Sequence, residues 1–270
     1  MTTREPDRVV DLRSIQLRET DGMVASPAPA SVPDRPIDVP LGTTGGSIGR
    51  AFILANLTGM VDAGVFLKAQ VLPSVMTANT IFVGLWLVLG KWGSLVLAAV
   101  AVATFLAFSM IAARVVRDFV DSTESVQHRL AWFEFAALGA LAALGLLDML
   151  RMHPWPSATQ IVLVVVFATA AMALQMPQVR KVEDIGISTL FTTGAIAGLA
   201  YDLAGGAAGP KVRRHERLYA MLIVGYAIGG AIGGLLSLLA PGAGLVAPVF
   251  VFGVAWIWRA FWVEHARQAR

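Results

Sequence analysis

Apolar residues dominate positions 51–263, and they occur in long uninterrupted runs rather than in the alternating faces of a soluble core. Residues 94–113 form a stretch of twenty residues without a charge. An α-helix needs about 20 apolar residues to cross the hydrocarbon layer of a bilayer, which is about 30 Å thick. The pattern therefore predicts an all-α fold, a polytopic transmembrane helical bundle.

Eight apolar segments follow one another along this region. Their approximate bounds are 52–67, 77–89, 93–116, 130–150, 158–176, 188–203, 218–240 and 244–263. The second and sixth are short for a full crossing and contain Thr, Asn and Gly near their starts, a composition found in half-helices and re-entrant segments. The sequence thus predicts six to eight membrane segments and leaves the number open within that range.

Residues 1–48 differ from the rest and are predicted to be a disordered N-terminal tail. They carry seven acids and five arginines, and positions 26–40 are too rich in proline for a helix interior or a central strand. Residues 49–265 then form the transmembrane domain. The tail is either a dispensable extension or a regulatory docking segment, and its composition favours the first reading.

Composition agrees with a membrane protein and excludes several kinds of chemistry. The chain is 56% hydrophobic and 14% charged, whereas about a quarter of the residues of a soluble domain are charged. It has no cysteine, and its four histidines lack metal-ligand spacing. Since no nucleophile–base set or nucleotide fingerprint is present either, we expect neither an enzyme nor a metal or cofactor site.

Basic residues predict the orientation in the membrane. They lie in short connectors between apolar segments, which does not suit a nucleic-acid surface, and no nucleic-acid partner is expected. If all eight segments cross, ten basic residues lie on the side of the N-terminus and six on the opposite side. Because cytoplasmic loops carry the excess of Lys and Arg, this distribution predicts a cytoplasmic N-terminus.

The chain follows the same order of features twice, in halves of about 51–150 and 158–263. In the first half LTGMVDAGVFL (57–67) precedes VMTANTIFVGL (75–85), and in the second AMALQMPQVRK (171–181) precedes LFTTGAIAGLA (190–200). Four segments in each half would give the two halves the same orientation. Internal repeats with short, polar-interrupted helices at matching positions point to a transporter's central site.

Asp62 is the most unusual polar residue of the apolar region. A carboxylate within a span costs about 2.5–3.5 kcal/mol, so it should face protein, water or a cation. It is either a proton or cation site or a carboxylate at the interface that caps a helix. Around it we expect a polar substrate-binding cluster at the interface of the halves, made of Asp62, Thr58, Thr77, Asn79, Thr80, Gln175 and Thr193. The competing interpretation is hydrogen bonding between helices.

Segment 218–240 contains glycine at every fourth position, at Gly225, Gly229 and Gly233. Such a flank lets a second helix approach to backbone contact. The pattern favours packing within the chain, with a homo-oligomer contact through this segment as the alternative.

The residues around Asp62 resemble a known family. GMVDAGVFL (59–67) followed by SVMTANTIFVGL (74–85) resembles the motif G-[YF]-V-D-A-x-x-[FY]-L … M-T-G-N-T of the YoaK-like bacterial membrane proteins, also called DUF1275. Residues 172–203 resemble that family's second-half motif. Ala78, Met176, Pro177 and Ala195 depart from the two patterns. The resemblance implies the fold and a bacterial inner membrane, and it implies no biochemical activity.

Two functions remain after these observations. The first is transport of a small solute or proton through the polar cluster, with Asp62 as the coupling or binding carboxylate. The second is a membrane scaffold or partner-binding subunit without transport activity, in which the polar residues serve only helix packing. In both cases the lipid bilayer is the immediate surrounding.

Overall fold

A computed structural model describes residues 44–118, 123–152, 156–182, 192–204 and 210–268. Within these ranges the chain consists of helices joined by short links and contains no strand, so the all-α prediction is confirmed. Eight helices follow in order: α1 (Thr44–Ala69), α2 (Met76–Val88), α3 (Trp92–Asp118), α4 (Thr123–Met149), α5 (Ser157–Val182), α6 (Thr192–Ala204), α7 (Pro210–Leu239) and α8 (Ala243–Gln268). The predicted disordered tail covers residues 1–48. Residues 1–43 lie outside the described part, and α1 begins at Thr44, inside the predicted tail.

In the part of the chain that the structure describes, five helices are long and apolar enough to cross a membrane, and the chain is a multi-pass membrane protein. These spans are Ile48–Ala69, Trp92–Val116, His128–Met149, Ser157–Pro177 and Glu216–Leu239. The most hydrophobic stretch of α3 is only 17% buried against protein, whereas that of α1 is 61% buried. Because apolar side chains on α3 are exposed to the surroundings, α3 lies at the lipid-facing periphery and α1 lies at the centre.

The helices pack around α1, which contacts α5, α7 and α8. The largest apolar cluster joins α1, α4, α5 and α8, with Leu57 and Val61 from α1, Leu141 from α4, Met172 from α5 and Leu245 from α8. Since these side chains are almost completely buried, the cluster forms a continuous core beside the polar residues of α1.

The set of packed helix pairs has the same pattern in both halves of the chain. We take α1, α2, α3 and α4 as equivalent to α5, α6, α7 and α8, respectively. The pair α1·α7 then corresponds to α5·α3, the pair α2·α3 to α6·α7, and the pair α1·α8 to α5·α4, and all six pairs are in contact. The pairs α1·α5 and α4·α8 are also in contact, and this equivalence leaves each of them unchanged. In each half, therefore, the second helix packs on the third.

The two short helices α2 and α6 also match in their burial. Each has 13 residues. When Thr77 is aligned with Thr193, the aligned residues of the two helices have the same burial class along the whole length. The one exception is half-buried Ala78, which is aligned with exposed Gly194. Asn79 in α2 and Ala195 in α6 are the buried residues of the two helices, and they occupy the same place in this alignment.

Glycines bring α7 into backbone contact with α1. A Cβ atom added to Gly225 would lie 2.8 Å from the carbonyl oxygen of Phe52, and one added to Gly233 would lie 2.5 Å from that of Met60. A Cβ atom on Gly229 would collide with the backbone of Asn56. This glycine face is thus covered by α1 within the chain. A homo-oligomer contact through segment 218–240 stays a prediction.

Candidate functional site

Asp62 lies in the last third of α1, and its side chain is buried, with 2% exposure. Its Oδ1 atom accepts a hydrogen bond of 2.9 Å from the backbone N–H of Ser74. Its Oδ2 atom accepts one of 2.7 Å from the hydroxyl of Tyr226 and another from the hydroxyl of Ser74. The carboxylate therefore joins α1 to the α1–α2 link and to α7.

These three bonds explain how a carboxylate is accommodated among apolar helices. An ionised carboxylate can only accept hydrogen bonds, and all three partners donate. Each of these donors is uncharged, so the carboxylate is satisfied by dipoles rather than by an ion pair. Hydrogen bonds to a charged group are stronger than neutral ones and offset part of the cost of removing it from water.

The bonds to Ser74 also define the path of the link 70–75. Gln70 has a φ of 55°, a left-handed conformation that ends α1. The chain then turns back along α1 until Ser74 reaches Asp62, which is seven residues before the end of the helix, or about 10 Å. From there α2 extends for 13 residues, or about 20 Å. The link and α2 together therefore extend over about 30 Å, which is the thickness of the hydrocarbon layer.

Asn79 holds this link from the side of α2. Its Nδ2 atom donates to the carbonyl oxygen of Leu72 at 2.7 Å, and its Oδ1 atom accepts from the N–H of Leu72 at 3.1 Å. The side chain is fully buried. The amide thus bonds both backbone groups of one link residue and satisfies the N–H of a segment that is not helical.

Thr58 and Gln175 form a second polar contact, between α1 and α5. The Thr58 hydroxyl lies 2.9 Å from the carbonyl oxygen of Leu54 and 3.2 Å from Oε1 of Gln175. The Nε2 atom of Gln175 donates to the same carbonyl oxygen at 3.2 Å. Both side chains are completely buried. Thr58 is one turn from Asp62, and no hydrogen bond joins the two side chains.

The structure separates the remaining members of the predicted cluster from Asp62. Thr77, Thr80 and Thr193 are exposed, and the Thr80 hydroxyl donates to the carbonyl oxygen of Met76 in its own helix. Since α2 packs on α3 and α6 on α7, the threonine faces of these short helices point away from the core. Of the predicted cluster, Asp62 and Asn79 therefore both bond the link 70–75, and Thr58 and Gln175 form a separate contact between α1 and α5.

Residues 50–258 match the family model described as "Protein of unknown function (DUF1275)". The chain belongs to the DUF1275 family. The match runs from α1 to α8 and so includes every helix of the bundle. No curated protein and no solved structure matches the sequence.

Two residues of the Asp62 site in this DUF1275 chain were not predicted from the sequence. Ser74 lies in the link before α2, where its hydroxyl and N–H both reach Asp62. Tyr226 follows the first glycine of the α7 flank and is 164 positions from Asp62 in sequence. A tyrosine among the close-packing glycines of a span was a usable signal, because a buried phenol hydroxyl normally finds a partner.

An ion pair at the end of α1 in this DUF1275 chain was also missed. The Nζ atom of Lys68 lies 2.6 Å from Oδ2 of Asp148, and the two side chains are 23% and 14% exposed. The pair ties the end of α1 to the end of α4.

Proposed function

We propose that the protein moves a small solute or protons across the membrane and that Asp62 is the group on which movement depends. The supporting observation is a carboxylate that is buried within an apolar span and bonded to the α1–α2 link and to α7. Ionisable residues in such places are characteristic of ion and proton pathways. A proton or cation that binds Asp62 would weaken its hold on Ser74 and Tyr226, which lie on two other elements.

We infer in addition that the chain consists of two repeated halves, α1–α4 and α5–α8. The helix pairs of one half recur in the other, and the burial patterns of α2 and α6 agree. Thr58 and Gln175 bond across α1 and α5, which are equivalent helices in this arrangement. Substrate sites of transporters with internal repeats lie at the interface of the repeats, and the α1–α5 contact is such an interface.

The two halves differ in the polar groups that they contribute. Asn79 corresponds to Ala195 in the alignment of α2 with α6, so the amide that holds the first link has no counterpart at this position in the second half. A site built around Asp62 is therefore asymmetric, with the carboxylate, Ser74 and Asn79 all from the first half.

We propose eight crossings in a bacterial inner membrane, with a cytoplasmic N-terminus. The link 70–75 supplies about the first 10 Å of the second crossing and α2 about the remaining 20 Å. Non-helical backbone at membrane depth is tolerated where it is buried in protein, and Ser74 is buried and bonded to Asp62.

Single introduced cysteines test this topology. The chain has no cysteine of its own, so no other residue of the protein reacts with a maleimide. Gln70 and Lys91 are both exposed and flank the second crossing. We expect Gln70→Cys to react with a membrane-impermeant maleimide from outside intact cells and Lys91→Cys to react only after permeabilisation. If both cysteines were labelled from the same side, α2 would not cross the membrane and the number of crossings would be below eight.

Asp62→Asn is expected to abolish transport and to leave the protein folded. An asparagine has the same shape, and its Nδ2 atom can donate to the hydroxyls of Ser74 and Tyr226, since hydroxyls also accept. It cannot take up a proton or neutralise a cation. Proteoliposomes that contain a pH-sensitive dye and an imposed ion or pH gradient measure the flux for wild type and variant.

A stability screen identifies the class of solute in parallel. A compound that binds only the native state at 100 times its Kd raises stability by about 2.7 kcal/mol. We expect at least one small ion or metabolite to raise the melting temperature of wild type and not that of Asp62→Asn. Thr80→Val is the matched control, because Thr80 is exposed and bonds only its own helix; it should respond as wild type does. If Asp62→Asn had the same flux and the same melting-temperature shifts as wild type, Asp62 would have no part in transport.

One observation favours the scaffold as a second candidate. Both oxygens of Asp62 are bonded by groups of its own chain, which is also what a purely structural carboxylate shows. In that case Asp62→Asn would alter stability alone, no compound would stabilise either protein, and deletion of residues 1–43 would abolish binding of a partner that uses the tail.

A further inference from the structure

We propose that the groove between α4 and α8 binds an anionic phospholipid, with an acyl chain in the groove and the phosphate group beside His128 and Arg129. This site is separate from Asp62 and does not depend on the transport proposal. The groove has a volume of about 190 Å³ and is lined by Ala131, Trp132 and Phe135 of α4 and by Phe252, Gly253 and Trp256 of α8.

The shape of the groove follows from one small residue among aromatic rings. A Cβ atom on Gly253 would meet no atom within 4 Å, so this position opens onto empty space. Phe135 and Phe252 are in ring contact, with centroids 6.1 Å apart. Trp132, with 65% of its surface exposed, stands edge-on to Phe135 at 6.0 Å. The walls are thus fully apolar, which suits a hydrocarbon chain and excludes a polar ligand.

The depth of the groove matches the upper part of an acyl chain. The α4 span begins at His128, and the lining residues of α4 lie three to seven positions further on, or about 5–10 Å along the helix. Tryptophan side chains prefer this zone, because the indole is apolar on its faces and carries one N–H donor. Lipid tails surround the span at this level, and an acyl chain has no polar backbone group that needs a hydrogen-bond partner there.

A basic residue, Arg129, at the mouth of the groove favours an anionic headgroup. The imidazole of His128 stands edge-on to Trp256, with ring centroids 5.1 Å apart. Arg129 is exposed and precedes Trp132 by three positions, which places the two on neighbouring sites of the helix surface. A guanidinium group can donate two parallel hydrogen bonds to a phosphate.

Native mass spectrometry of the full chain in detergent tests the proposal with two lipids of identical acyl chains, phosphatidylglycerol and phosphatidylcholine. We expect a tightly bound phosphatidylglycerol and at least fivefold less adduct with phosphatidylcholine. Gly253→Leu fills the groove and should lose the adduct. Gly84→Leu is the control, since a Cβ atom there also meets nothing within 4 Å and α2 packs on α3, away from the groove.

Two further measurements distinguish the contributions of headgroup and tail. Arg129→Gln should reduce the preference for phosphatidylglycerol over phosphatidylcholine severalfold and retain residual binding of both. Phosphatidylglycerol with brominated tails should quench wild-type tryptophan fluorescence more than that of a Trp132→Phe, Trp256→Phe double variant. Full lipid binding by Gly253→Leu would overturn the proposal. A wild-type dimer that Gly253→Leu converts to a monomer would also overturn it, because the groove would then bind a second copy of the chain.

Discussion

Gly229→Ala is expected to destabilise the protein by more than about 2 kcal/mol, although alanine is the better helix former. In an exposed helix interior this change should stabilise by up to about 1 kcal/mol. At Gly229 the added Cβ atom collides with the backbone of Asn56, which cannot move aside as a flexible side chain can. Helices α1 and α7 would have to separate, and overpacking of this kind costs about 1–3 kcal/mol or more.

Gly234→Ala provides the matched control on the same helix. A Cβ atom at Gly234 meets nothing within 4 Å, so only the helix propensity changes and stability should stay equal or rise. The measurement is unfolding of both variants in mixed detergent micelles, followed by circular dichroism. Equal stability of the two variants would show that α1 and α7 do not pack as closely as described.

Asp62→Leu is expected to cost about 3 kcal/mol or more, whereas Asp62→Asn should change stability by less than about 1 kcal/mol. Leucine removes the acceptor from the Ser74 N–H, the Ser74 hydroxyl and the Tyr226 hydroxyl. Each buried donor that loses its partner costs about 1–3 kcal/mol. Asparagine keeps an acceptor for the N–H and can donate to the two hydroxyls.

Tyr226→Phe separates the contributions of the three bonds. It removes one donor and leaves the carboxylate its two bonds to Ser74, so the loss should be about 1–2 kcal/mol. Thermal unfolding of the four proteins in one detergent should give the order wild type, Asp62→Asn, Tyr226→Phe, Asp62→Leu. If Asp62→Leu were as stable as wild type, the Asp62 carboxylate would contribute nothing to stability and its role would be functional alone. The loss of transport in Asp62→Asn would then be a test independent of folding.

Hydropathy predicted most of the fold correctly. Each of the eight apolar segments overlaps a helix, and the chain is a multi-pass membrane protein, because a run of apolar residues has few other stable arrangements in a bilayer. The helices extend beyond several segments into charged residues, as α4 does from Thr123. Hydropathy does not register these ends, since a helix continues into the headgroup region where charges are solvated.

The site was predicted less completely, and the reason lies in helix rotation. Thr58 and Asp62 are four positions apart, which places them on one face of α1 however the helix packs. Periodicity did not show which faces of α2 and α6 turn inward. The packing of α2 on α3 and of α6 on α7 decides this, and it leaves Thr77, Thr80 and Thr193 exposed while Asn79 is buried.

The sequence by itself determined the membrane class, the helical fold, the family and the presence of a carboxylate within a span, because composition and local spacing carry these properties. Only the tertiary structure decided what Asp62 contacts. Ser74 reaches it through a link that folds back along α1, and Tyr226 reaches it from α7 through glycines that allow backbone contact. Such distances depend on how helices far apart in sequence pack and rotate against each other, which local spacing does not encode.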